Sequence, residues 1–147
     1  MPDKEKRGVW EAIVETVYNA YWRYFPYSLE RFVARQIKGN PYICDLGCGD
    51  GKFVQHLKEL KKDDSFSVVG CDIYSPYLCS AKDKKVYRHL VRCDLRKLPF
   101  KHKVFDTLLF INVIEHLEKE KEYLDEIEKL ATGKIIKIGR ASCRERV

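Results

Sequence analysis

The 147-residue sequence lacks several features that would otherwise set its class. No apolar run approaches the roughly 20 residues needed to span a bilayer, so membrane insertion is not expected. The start, MPDKEKRG, is charged and has no hydrophobic region behind it to make a signal peptide. Its cysteines form no C-x-x-C pair and have no metal-ligand spacing with histidine. A reducing, cytoplasmic compartment and no metal centre are therefore expected. Repeats and low-complexity segments are missing too, and the length suits one domain with its own core. Lysines are scattered among glutamates along helix faces, without an obvious basic stripe, which argues against nucleic acid as a partner.

The last ten residues stand apart. IGRASCRERV, Ile138 to Val147, resembles the translation of a sequencing-library adapter, so 138–147 is set aside from the fold. Removing Arg140, Arg144, Arg146 and Glu145 lowers the formal charge from +6 to +4. The natural sequence is expected to continue differently after about Lys137.

Helical periodicity runs from Val9 to Tyr24 and, after Pro26, from Leu29 to Ile37, with Ser28 as a cap and Gly39 and Pro41 as a stop. Residues 1–40 therefore read as an N-terminal helical segment. From 41 to 137 short apolar runs alternate with helical patterns, as in βαβ units on a parallel sheet. Strands are expected at Tyr42–Asp45, Ser67–Asp72, Val86–Cys93 and Val104–Ile111, with a fifth beginning at KIIK. Helices are expected at Gly51–Leu60, from a Ser75 cap to Asp83, and at Glu118–Ala131, the last ended by Gly133 and facing inward through Tyr123, Leu124, Ile127 and Leu130.

The glycine turn in ICDLGCGDGKF is neither a phosphate loop nor a dinucleotide fingerprint. Only Cys48, Gly49 and Asp50 separate Gly47 from Gly51, and Phe53, not Ser or Thr, follows Lys52. Its G-x-G-x-G spacing also departs from G-x-G-x-x-G. Asp45 and Asp50 would repel a pyrophosphate, so a ligand with a cationic amino group fits better. Cys-Asp recurs at 44–45, 71–72 and 93–94, each time at the carboxyl end of an expected strand. Ligands of open α/β sheets bind outside those ends, so three carboxylates converge on one crevice. The cysteines themselves read as small core fillers.

DLGCGDG, then VVGCDI, then RCDLRKLPFKHKVFDTLLFINVIEHL resemble the class I S-adenosylmethionine-dependent methyltransferases over residues 42 to 137, especially the group that often acts on small molecules. The resemblance implies an α/β, Rossmann-like parallel sheet with flanking helices. The family's sheet has strand order 3-2-1-4-5-7-6, so about five of its seven strands are present here, behind the N-terminal helical extension.

The resemblance also implies that S-adenosylmethionine is the cofactor. Asp45 would face its amino group, Gly47, Cys48 and Gly49 its methionine portion, and Asp72 both ribose hydroxyls. Ile73 would pack on the adenine, Asp94 would accept from the adenine amino group, and the Leu95 backbone would read a ring nitrogen. Asn112 and Val113 would border the sulfonium and the acceptor. Methyl transfer from a sulfonium is a direct displacement and depends mainly on positioning. No catalytic residue is assigned, although Glu115 and His116 stand nearby. The acceptor is expected to be a small or amphiphilic molecule. A nicotinamide-dependent oxidoreductase and a non-catalytic cofactor-binding fragment are the alternatives.

Overall fold

The computed structural model describes residues 29–62, 64–113 and 121–138. The expected helix at Val9–Tyr24, the Ser28 cap, Glu115, His116 and residues 139–147 lie outside them. Nine elements follow in order: α1 (Leu29–Gln36), β1 (Tyr42–Leu46), α2 (Lys52–Lys61), β2 (Ser67–Asp72), α3 (Ser75–Asp83), β3 (His89–Arg92), β4 (Phe105–Ile111), α4 (Lys121–Glu128) and β5 (Ala131–Ile138). The strands form one parallel sheet in the order β3-β2-β1-β4-β5. The chain builds outward from β1 to β3, then crosses to the other side for β4. The β1–β4 boundary is the place where strand order reverses, and a crevice opens there at the carboxyl ends.

Both faces of the sheet are covered, which is why its strands are continuous apolar runs and do not alternate with polar residues. Period-two geometry divides each run between two cores. Ile43, Val68 and Leu109 pack with Val33 and Ile37, in and just after α1, and with Val54 and Leu57 of α2. Cys44, Val69, Leu108 and Phe110 point to the opposite face, against Ile127 of α4 and Leu130. Lys61 and Lys134 donate from their Nζ atoms to the carbonyls of Ile37 and Gln36 at 2.9 and 2.8 Å, satisfying acceptors that the end of α1 leaves open.

Several boundaries differ from the sequence reading. Strand β3 is four residues long, and Tyr87 ahead of it packs against Gly70 of β2. Helix α4 ends at Glu128, and Gly133 lies inside β5, where an added Cβ would stand 2.7 Å from the Asp106 carbonyl oxygen. Gly133 therefore accommodates the close approach of β4 and does not end the helix. Tyr123, expected inward, is exposed. The α3 cap is Tyr74, not Ser75, and it makes no side-chain capping bond. Among the described residues no helix is long and apolar enough to cross a membrane.

Candidate functional site

The glycine turn leaves β1 with Gly47, Gly49 and Gly51 all at positive φ, 73°, 55° and 82°. Side chains disfavour that region, which explains the spacing of the three glycines. The amides of Gly47 and Cys48 both donate to the Cys71 carbonyl at 2.8 Å, tying the turn to the end of β2. A Cβ on Gly47 would lie 2.5 Å from Val113 Cγ2, whereas one on Gly49 would meet nothing within 4 Å. The turn is thus packed on its Val113 side and open at Gly49.

Asp72 closes β2. Its Oδ2 accepts from the Gly49 amide and its Oδ1 from the Tyr74 amide, each at 2.9 Å. A carboxylate has about four acceptor positions, so two remain for a ligand after these bonds fix its orientation. Beyond β3, Asp94 accepts from Arg96 Nε at 3.0 Å and from the Arg96 amide at 2.9 Å. Those bonds hold its carboxyl down at about 2. After β4, Asn112 adopts φ 57° and donates its amide to the Ile138 carbonyl at 2.7 Å. Asparagine tolerates that left-handed conformation better than most residues.

These ends enclose a cavity of about 500 Å³. From the residues named in the sequence, Gly47, Gly49, Asp72, Ile73, Asp94, Leu95, Asn112 and Val113 line it. Asp45 and Cys48 do not. Asp45 is 2% exposed, and its Oδ2 accepts from the Tyr87 hydroxyl at 2.8 Å. Burial raises its pKa to about 7, the Tyr87 bond opposes that rise, and the charge of Asp72 adds to it. Burial likewise pushes the Cys48 thiol up, so it is not a nucleophile at neutral pH.

Sequence reasoning passed over Tyr77 and Arg96, which line the cavity, and Tyr87, which braces it from behind, while Cys93, read there as a core filler, is half-buried and lines the cavity too. The Tyr87 ring occupies room that two glycines leave. A Cβ on either Gly51 or Gly70 would come within 2.9 Å of it. Gly70 at mid-strand was the available signal, since glycine inside a strand marks a close approach.

Acidic groups at the end of β2 and after β3, an open glycine turn and a mostly apolar wall suit a nucleoside carrying an amino acid better than a pyrophosphate. A family model described as "Methyltransferase domain" matches residues 44–134. The chain belongs to this methyltransferase family. Its fold is that of the class I, S-adenosylmethionine-dependent enzymes.

Among curated proteins, human "Probable tRNA methyltransferase 9B" is 29% identical over 125 residues, covering 78% of this chain and 26% of the relative. An Arabidopsis thaliana tRNA (carboxymethyluridine(34)-5-O)-methyltransferase is 32% identical over 99 residues, covering 66% of this chain and 22% of that protein. The methyltransferase chain thus spans about a quarter of the length of these relatives. Among solved structures, the PH0226 protein of Pyrococcus horikoshii OT3 aligns with a TM-score of 0.60 at 29% identity, covering 73% of this chain and 52% of that one. A SAM-dependent methyltransferase from Aquifex aeolicus shares the fold, with a TM-score of 0.60 at 16% identity, covering 76% of this chain and 61% of that one.

The relatives' names correct one expectation. A small-molecule acceptor and no nucleic-acid partner were expected from the scattered lysines, but the relatives are named as tRNA methyltransferases, the human one as a probable one. An overall charge balance cannot show where the cations gather once the chain is folded.

Proposed function

We propose that this domain binds S-adenosylmethionine in the cavity at the carboxyl ends of β1, β2 and β4 and delivers its methyl group to tRNA. The observation that carries the cofactor half is the anchored carboxylate of Asp72, held by two backbone amides with two acceptor positions left at the cavity wall. Matching roles follow for the other residues. Asp72 would hold the ribose hydroxyls, Ile73 the adenine face, and Asp94 with the Leu95 backbone the adenine edge. Gly47 and Gly49 would admit the methionine portion, with Cys48 behind them and the Asp45 carboxyl beneath the turn as a counter-charge for the amino group. Asn112 and Val113 would border the transferring methyl.

The bound cofactor supplies a methyl already activated on a sulfonium. What the protein adds is alignment and the exclusion of water. Arg96 holds Asp94 in one orientation, and Val113 packs against the glycine turn, so both walls are set before a ligand arrives. The acceptor half rests on the tRNA methyltransferases to which the chain is similar. A cytoplasmic setting fits the free thiols of Cys44 and Cys71, whose sulfurs share a hydrogen bond at 3.8 Å.

Calorimetric titration separates this reading from an oxidoreductase. S-adenosylhomocysteine is expected to bind at one site per chain, and NADH to give no saturable heat. The reverse preference would remove the methyltransferase reading of the cavity.

A further inference from the structure

Positive charge is not spread evenly along this chain. Between Lys82 and Lys103 stand nine of its 28 lysines and arginines, but only Asp83 and Asp94 of its 22 acidic residues. That segment has a formal charge of +7, against +6 for the whole chain. Everything outside it is therefore close to neutral.

The fold lays this segment along one border. Lys82 and Lys85 lie at the end of α3, Arg88 leads into β3, and His89 and Arg92 are the exposed residues of that strand. Strand β3 pairs with β2 and has no strand beyond it among the described residues. Arg96 carries the border to the wall of the cofactor cavity. Arg96, Lys97 and His102 also line a second cavity, of about 300 Å³, on the far side of the same turn. Lys82, Lys85, Arg88, Lys97 and Lys101 make no ion pair with any described residue. Where the border meets the cavity, Tyr74 and Tyr77 are half-exposed and pack edge to face, with ring centroids 4.9 Å apart.

Exposed cations on an edge strand also keep it from pairing with another chain. That role needs charge on β3 alone. Here the cations begin on α3, continue through the turn after β3, and reach a rim that presents two aromatic rings. Phosphates attract such cations, and unstacked bases pack on exposed aromatic rings.

We propose that the border from the end of α3 through β3 to the 96–103 turn binds the phosphodiester backbone of the acceptor RNA and leads it to the mouth of the cofactor cavity. The proposal rests on the tRNA reading above and supplies the surface for it. The test compares three forms of the whole chain: the parent, an edge triple (Lys82→Ala, Arg88→Ala, Lys101→Ala), and an equal-charge control on the α1–α2 side (Arg35→Ala, Lys38→Ala, Lys62→Ala). Binding of unfractionated tRNA is followed by fluorescence anisotropy across a salt series, and S-adenosylhomocysteine affinity reports that the cofactor site is intact.

The edge triple is expected to lose roughly tenfold or more in tRNA affinity near 0.1 M salt and to flatten the log–log salt slope by about 2 to 3, as loss of three phosphate contacts requires. The control should keep the parent's slope, and all three forms should bind S-adenosylhomocysteine alike. Equal losses in both triples, or an unchanged edge triple beside a parent that binds tRNA, would overturn the surface and leave the tRNA reading standing. A parent that does not bind tRNA at low salt would overturn the tRNA reading itself, and the surface with it.

Discussion

Asp72→Ala is expected to weaken S-adenosylhomocysteine binding by roughly 100-fold or more. Each hydrogen bond proposed from a ribose hydroxyl to this carboxylate would be worth about 1.5 to 3 kcal/mol, and two of them would exceed the roughly 2.8 kcal/mol that two decades of affinity represent. The same carboxylate also fixes the Gly49 and Tyr74 amides, so its loss loosens the turn and the start of α3 together. Asp50 supplies the comparison. Its Oδ1 accepts from the Lys52 amide at 3.1 Å, and it does not line the cavity. Asp50→Ala should change the affinity by less than about threefold, the scale of a surface charge change. Calorimetry on both variants measures the difference.

The second large effect concerns pH and Asp45. Its carboxyl is buried and titrates near 7 in the folded chain, against 3.8 for an ordinary aspartate, mainly because burial disfavours its charge. A raised folded value means that the stabilising contribution is fully present below about 4 and is lost as pH rises through about 7. Asp45→Asn removes the titration while keeping an acceptor for the Tyr87 hydroxyl. Between pH 5 and pH 8 the parent should therefore lose about 2 to 3 kcal/mol of stability relative to Asp45→Asn, from the roughly 1.4 kcal/mol that one pKa unit represents. Urea unfolding of both proteins at the two pH values gives this difference, with the other titrating groups cancelling. A pH-independent difference would mean that Asp45 is ionised throughout. An amino group held near the turn favours the ionised carboxyl, so cofactor affinity is expected to rise over the same interval.

Much of this architecture was legible because strongly buried parallel strands announce themselves as apolar runs. Ser67–Asp72 is observed with the expected bounds, and β1 and β4 differ by one residue at one end. The Cys-Asp repeats located the crevice because each ends a run that the sheet brings alongside its neighbour. Asp72 and Asp94 line it, yet Asp45, with the same local signature, does not. What separates them is Tyr87, 42 residues away in sequence, whose hydroxyl meets Asp45 through space left by Gly51 and Gly70. Gly70 inside β2 signals a close approach, but no local pattern names Tyr87 as the residue that makes it. Gly133 was misread because a glycine after a helical pattern is commonly a stop, and only the neighbouring strand reveals the close approach to Asp106. The expectation of no nucleic-acid partner, which the names of the tRNA methyltransferase relatives oppose, failed for a related reason. The cations were judged by their mixture with glutamates, whereas residues 82–103 gather them on one border of the sheet.

The most direct test of the central claim is methyl transfer itself. The protein is incubated with S-adenosylmethionine carrying a tritiated methyl group and with unfractionated tRNA, beside Asp72→Ala, and the RNA is then digested to nucleosides and counted. Label in a nucleoside fraction with the parent, and a loss of most of it with Asp72→Ala, is the predicted result. No label in tRNA from a parent that binds S-adenosylhomocysteine, or equal labelling by Asp72→Ala, would contradict the account.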